Sequence, residues 1–369
     1  MADNTKFGMN LNEYNFTLPH KLISQKPLLK RDSAKFLIYD VSKDKIYHKI
    51  FNQISDYFSE NDLIILNDSK VIPAKLTAKI NNNTFIEIIL IEELTFGENF
   101  IDFSIITKLS KIKKNQEFIF KEDIRAIYLG RTKDLTDGIL RFWTNRATFY
   151  KFIYEFGKMP LPPYIKRNSN FLGLDEFDKK RYQTVYAKNL GSIACPTAGL
   201  HFTKDIFENL KKRNVMIKYL TLHVGLGTFR SIKTHRIEEH NMLKEKYEIS
   251  KEVSILLKNK EKRLTSVGTT TTRTIESFYK TGKKEDFTDL FIYSGHKFII
   301  DRLITNFHVP KSTPLILTVA FLADKIRKEG EVDSNKSVEN ALKIFKKIYK
   351  EAIDKKYRFY SYGDSMMII

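Results

Sequence analysis

Cysteine is nearly absent from this chain: Cys195 stands alone among 369 residues. One thiol cannot build a disulfide framework, and it leaves no thiolate set for zinc. Long apolar runs are missing as well. The most hydrophobic stretch, Leu315 to Ala323, falls well short of the roughly 20 residues a membrane-spanning helix needs. Met1 to Asn10 is polar and lacks the apolar core of a signal peptide. The expectation is a soluble, cytoplasmic protein without a membrane partner. His235 and His240 lie five apart, off a common helical face, and no His-Glu-x-x-His spacing occurs, so no metal is expected.

Nucleotide fingerprints are incomplete. Gly225-Leu226-Gly227 is followed by Thr228-Phe229-Arg230, with no third glycine. Such a pair is a weak dinucleotide signal and fits better where backbone approaches a ligand or another strand. Val267-Gly268-Thr269-Thr270-Thr271-Thr272-Arg273 lacks the Gly-Lys-Ser/Thr ending of a P-loop. There is no internal repeat and no low-complexity segment.

What is present is basic charge: 63 Lys and Arg against 44 Asp and Glu, a formal net charge of +19. Such an excess attracts polyanions, nucleic acid foremost. A lysine-rich solvated surface gives the same excess, so charge opens the question without settling it. The hydrophobic share of 42% suffices for a folded core, and the length suggests either two domains or one carrying an insertion.

Leu63 to Leu66 reads as a buried strand closed by Asn67-Asp68-Ser69. From about Ile72 to Trp143 short β-type runs alternate with turns: Phe85 to Ile91, Glu117 to Phe120, and Ile139 to Trp143 after Asp137-Gly138, a hairpin signal. An all-β module is therefore expected inside a larger domain, residues 72–154 within 1–71 and 155–369. Met159 to Tyr164, with three prolines, must be extended. Beyond it helix and strand alternate. Thr203 caps a helix to about Lys212, Val215 to Val224 is a strand, and Ser250 caps another helix. Leu264 to Val267 is a strand, a helix begins near Thr274, and a last one starts near Ser337 with a single apolar stripe.

Chemistry gathers in the turns. Free N–H groups, hydroxyls and Arg273 between a strand and a helix suit a carboxylate or a phosphate; a Thr-rich cap is the plain alternative. His201, His223 and His308 each sit beside a turn. Singly, each would more often be a hydrogen-bonded core histidine than a catalyst. Tyr357 to Asp364 interleaves aromatics with an arginine and an acid, which suits either single-stranded RNA or a final core strand.

Taken together, the ordered motifs resemble the S-adenosylmethionine:tRNA ribosyltransferase-isomerases of queuosine biosynthesis. They include Phe16-Thr17-Leu18-Pro19, Leu66 to Leu76, Arg181 to Ala187, Pro196 to Thr203 and Thr221 to Gly225. Gly227 to Arg230, Gly268-Thr269-Thr270, Thr305-Asn306-Phe307-His308 and Tyr357 to Asp364 complete the series. The resemblance implies a mixed α/β fold, a barrel-like α/β catalytic domain carrying a small inserted all-β barrel. It implies transfer and isomerisation of the ribosyl part of S-adenosylmethionine onto 7-aminomethyl-7-deazaguanine at the tRNA wobble position. Adenine and methionine leave and epoxyqueuosine remains. S-adenosylmethionine is then a co-substrate, the tRNA anticodon loop the partner, and the chain a monomer or weak homodimer.

Within that reading His201, His223, Glu245, His308 and Asp364 are candidates for acid–base work, while Gly225, Gly227, Gly268, Thr269, Thr270 and Arg273 are candidates for binding. The chain departs from the family pattern at Leu243, where a histidine is usual, and at Cys195, Ser294 and Pro314. Two rival readings predict different products. An RNA methyltransferase would release S-adenosylhomocysteine, and a non-catalytic RNA-binding protein would bind without consuming cofactor.

Overall fold

Leu63, Ile64, Ile65 and Leu66 are all buried, which places their strand in the middle of a sheet covered on both faces. The computed structural model describes residues 9–81, 84–107, 112–131, 138–167, 174–225, 227, 232–327 and 334–369. Asp137 and the run 228–230, singled out in the sequence, lie outside them, as does Leu226.

Along the chain come β1 (Lys35–Asp40), β2 (Lys45–Ile50), β3 (Asp62–Asn67) and β4 (Ser69–Val71). Then follow β5 (Lys75–Ile80), β6 (Thr84–Phe96), β7 (Ile101–Ile106), β8 (Glu117–Ile119), β9 (Arg125–Arg131) and β10 (Gly138–Phe142). Next are α1 (Arg146–Phe156), α2 (Leu174–Arg181), β11 (Asn189–Ser192), α3 (Lys204–Lys212), β12 (Met216–Leu222) and β13 (Glu245–Glu248). The remainder is α4 (Lys251–Asn259), β14 (Arg263–Val267), α5 (Thr269–Thr281), β15 (Glu285–Thr288), β16 (Arg302–Asn306), α6 (Thr313–Ile326), α7 (Ser334–Asp354) and β17 (Ser365–Ile368).

The fold is mixed α/β with a small closed barrel. β5 to β10 close in the order β10-β7-β6-β5-β8-β9. Alternation explains it: Leu76, Ala78 and Ile80 turn inward from β5, and Leu140 and Phe142 from β10. Phe149, Phe152 and Ile153 of α1 join that core. The larger part is a nine-stranded sheet ordered β15-β13-β12-β3-β14-β16-β17-β1-β2. Its barrel-like character stops short of a closed ladder, because the pairing starts at β15 and ends at β2.

Alternate residues of β3 face two different cores. Leu63 and Ile65 pack with the apolar sides of α4 to α7, and Ile64 and Leu66 with Phe51, Phe202 and α3. Thr203 and Ser250 accept hydrogen bonds from Ile206 and Val253 N–H, capping α3 and α4 as expected. Pro314 occupies the first turn of α6, where a missing N–H costs nothing.

Two expectations need correction. α5 starts at Thr269, not near Thr274. Threonine runs disfavour helix, but these hydroxyls bond back into it: Thr271 to the Val267 carbonyl at 2.7 Å and Thr274 to the Thr270 carbonyl at 3.0 Å. The segment Tyr357 to Asp364 is a loop, and the final strand begins only at Ser365.

Candidate active site

β3, β12, β14 and β16 run parallel, so their carboxyl ends share one edge of the sheet. That edge is where open α/β sheets form ligand crevices. It presents Asn67, His223, Gly268 and Asn306 at or just beyond the strand ends. A cavity of about 380 Å³ opens there, lined in part by Gly268, Thr269, Thr270, Asn306, His308 and Tyr360. Its size suits a small-molecule ligand.

Gly268 makes the turn possible. Its φ of +91° belongs to a region that L side chains rarely adopt. The chain reverses there directly into α5, and the first main-chain bond of that helix runs from Thr272 N–H to the Gly268 carbonyl at 3.1 Å. The N–H groups of Thr269 to Thr271 therefore precede the intrahelical ladder, at the positive end of the helix dipole and beside the cavity. Asn67 fixes this turn from below. Its side-chain amide donates to the Leu222 carbonyl at 2.9 Å and the Thr270 hydroxyl at 3.3 Å.

Opposite α5, His308 Nε2 lies 2.7 Å from the Thr305 hydroxyl. Burial holds its pKa down to about 3. His201 stands behind, 3.3 Å through Nε2 from the Asn306 amide, whose oxygen accepts from Thr197 at 3.0 Å. Burial first, and the neighbouring Arg358 second, push His201 down to about 3. Both imidazoles are thus held neutral. Tyr164 and Tyr360 form an aromatic wall with ring centres 4.6 Å apart. Tyr360 sits at a φ of +72°, a costly conformation for a bulky side chain, here at the cavity wall. Cys195 also borders the cavity, its thiol pushed up by burial and so inert as a nucleophile.

His223 and Glu245 belong to a second cavity of about 230 Å³ between the sheet edge and the barrel. Val224 borders both cavities. His223 Nδ1 is 2.9 Å from the Ser69 hydroxyl, and Gly191 lies against its ring. Burial, then Lys246, lowers its pKa to about 4. Glu245 accepts from the Gly225 N–H at 2.8 Å and pairs with Arg273. Arg273 also donates to the carbonyls of Leu290 at 2.9 Å and Thr288 at 3.3 Å. Its guanidinium is thereby occupied from several sides. Gly227 packs beside Leu243, the residue that departs from the family pattern.

Asp364 reaches neither cavity. It accepts from the N–H of Lys35 at 3.1 Å and of Arg358 at 2.8 Å, and it pairs with the Arg358 guanidinium. These bonds shape the loop that carries Tyr360. The expected residues thus divide: Gly268, Thr269, Thr270 and His308 meet in the first cavity, and His223, Gly225 and Glu245 in the second. Asn67, Asn306, Tyr164 and Tyr360 join the site without having been named as candidate site residues, though Asn306 and Tyr360 fall in segments already singled out. An asparagine ending an apolar strand was the available signal for the first two. Among the described residues no group of three or more His, Cys, Asp or Glu is placed to hold a metal ion, and no helix is long and apolar enough to cross a membrane.

Residues 11–368 match the family described as "Queuosine biosynthesis protein". The S-adenosylmethionine:tRNA ribosyltransferase-isomerase of Thermotoga petrophila is 40% identical over 98% of this chain and 100% of its own length. That of Thermodesulfovibrio yellowstonii is 41% identical with the same coverage. The crystal structure of S-adenosylmethionine tRNA ribosyltransferase from Thermotoga maritima is 31% identical, covers 97% of this chain and 100% of that one, and superposes with a TM-score of 0.50. With a family match across nearly its whole length and relatives this similar end to end, the chain belongs to the queuosine biosynthesis protein family.

Proposed function

We propose that this chain transfers and isomerises the ribosyl group of S-adenosylmethionine onto 7-aminomethyl-7-deazaguanine at the tRNA wobble position. The products are epoxyqueuosine in tRNA, adenine and methionine. The observation that carries the reading is the 380 Å³ cavity at the carboxyl edge of the sheet, between the start of α5 and a tyrosine wall, in a chain with full-length relatives named for this activity.

S-adenosylmethionine occupies the first cavity as co-substrate, without a metal. The N–H groups following Gly268, with Thr269 and Thr270, hold the methionine carboxylate. Tyr164 and Tyr360 pack against the adenine. Neutral His308 and His201, the latter through Asn306, hydrogen-bond the leaving base rather than charging it. A proton must leave the carbon beside the sulfonium, and His223 is assigned that step. Its Nδ1 is held by Ser69, and it stands beside Val224, the residue common to both cavities. A cationic sulfonium needs nearby acceptors rather than cations, and an imidazole kept neutral by burial meets that need. Glu245 and Arg273 are positioning residues that fix Gly225 and the N-terminal part of α5, and Asp364 positions Tyr360 through its loop. The domain division that goes with this is a barrel module, residues 72–154, inserted between 1–71 and 155–369. The tRNA reaches the site by its anticodon loop, and the protein acts as a cytoplasmic monomer or weak homodimer.

The test is mass spectrometry after mixing purified protein, S-adenosylmethionine and tRNA carrying the aminomethyl base. Epoxyqueuosine with equimolar adenine and methionine is the expected result. S-adenosylhomocysteine, or tight binding without any product, would overturn the reading.

A further inference from the structure

The second cavity has an unassigned carboxylate at its mouth. Glu92 of β6 faces this 230 Å³ space together with His223 and Gly225. The other two glutamates there are committed. Glu93 accepts from Arg146 Nε at 2.9 Å and from the Tyr150 hydroxyl at 2.8 Å, and Glu245 pairs with Arg273. Glu92 has no hydrogen bond or ion pair among the described residues. Lys246, whose charge acts on it, is tied to Glu285 at 2.8 Å. The Glu92 side chain is exposed at the cavity's edge, where an unpaired carboxylate is open to a cation or a hydrogen-bond donor.

The approach to this cavity is built from aromatics and guanidinium planes. Arg146 stacks over Phe96 at 5.2 Å and over Tyr150 at 5.1 Å. Phe96 and Trp143 each leave 55% of their surface in solvent. β6 and β10 both pair with Ile101, through Phe96 and Phe142, so these rings share one end of the barrel. Exposed rings interleaved with arginine suit stacking by unpaired bases.

Resting on the ribosyl-transfer reading, we propose that the second cavity is the subsite for the acceptor nucleobase. In it the Glu92 carboxylate binds the aminomethyl ammonium, while Phe96, Trp143 and Arg146 stack the neighbouring loop nucleotides. The substituent is a primary amine, protonated in water, and it meets the carboxylate that is uncommitted among the described residues of this cavity. Val224 lines both this subsite and the first cavity, so the two share a wall. Attack needs a neutral nitrogen. One N–H proton passes to the Glu92 carboxylate, and the lone pair it leaves behind becomes the nucleophile. Burial raises the pKa of Glu92, which favours that transfer.

The experiment uses two anticodon stem-loop RNAs, identical except for 7-aminomethyl-7-deazaguanine or guanine at the wobble position. Dissociation constants are measured by fluorescence anisotropy for the wild type, Glu92→Gln and Phe96→Ala, with S-adenosylmethionine affinity measured separately by calorimetry. The wild type should prefer the aminomethyl loop by about tenfold, the worth of one charged hydrogen bond. Glu92→Gln should abolish the preference while keeping S-adenosylmethionine affinity, and Phe96→Ala should weaken both loops alike. Equal binding of the two loops by the wild type, a preference that survives Glu92→Gln, or lost S-adenosylmethionine binding in that variant would each overturn the assignment. Failure of the wild type to form product on tRNA would instead sink the ribosyl-transfer reading itself.

Discussion

Arg273 and Glu245 form an ion pair with 7% and 1% of their side chains in solvent, joining the second turn of α5 to β13. The carboxylate also receives the Gly225 N–H, and the guanidinium reaches the carbonyls of Leu290 and Thr288. One buried pair thus ties the α5 turn beside the first cavity to the strand segment lining the second. Truncating one partner strands the other charge in the interior, which costs about 3–5 kcal/mol. Glu245→Ala should therefore lower stability by that amount in urea unfolding, read at pH 7 against the wild type. A change below about 1 kcal/mol would mean that water reaches the pair.

Gly191 governs His223 by a different device. A Cβ at this position would lie 2.9 Å from both Cε1 and Nδ1 of the imidazole, and the backbone φ is +142°. Gly191→Ala must therefore displace the ring from Ser69. If His223 moves the proton, kcat should fall about 10²-fold or more, with little change in KM for S-adenosylmethionine. Unchanged turnover in a folded variant would remove His223 from the chemistry.

Tyr360 tests the wall of the first cavity. Its φ of +72° suits glycine far better than tyrosine. Tyr360→Gly relieves that strain while removing the ring, so the two effects on stability oppose each other. The thermal midpoint should move little, whereas KM for S-adenosylmethionine should rise about tenfold or more, as expected for a lost stacking contact of 1–3 kcal/mol. A large loss of stability with an unaltered KM would assign the ring to the core instead.

The pH dependence follows from three imidazoles. His201 and His308 have folded pKa values of about 3, and His223 of about 4, all below the ordinary 6.5. Between these values and 6.5 the unfolded chain binds protons that the folded chain refuses. Stability is thus fully present above about 6.5 and declines as pH falls towards 4 and then 3. Thermal melts at pH 7.5 and pH 5 should differ in that direction, and His308→Asn should shrink the difference. Equal midpoints would show that the sites admit water.

Much of the framework was legible because it rests on local signals. The apolar run in β3, the Thr203 and Ser250 caps and the alternating strands of the barrel each announce themselves within a few residues. The start of α5 was not, since threonine favours helix poorly and only the hydroxyl bonds to Val267 and Thr270 offset that. Nor was the division of the site into two cavities. His201, His308 and His223 look alike in sequence, and which cavity each meets depends on the strand order β12-β3-β14-β16. The pairing of Arg273 with Glu245 likewise depends on the antiparallel β13 and β15 closing over α5. Asp364 read as an acid beside aromatics, yet its oxygens are taken by the backbone of Lys35 and Arg358.

In ribosyl transfer the ribosyl carbons, and not the methyl group, end in tRNA. The most direct measurement supplies S-adenosylmethionine labelled either in the ribose or in the methyl group and follows each label by mass spectrometry of digested tRNA. The ribose label is expected in a modified wobble nucleoside and the methyl label in free methionine. Methyl label in tRNA with ribose label in S-adenosylhomocysteine would contradict ribosyl transfer.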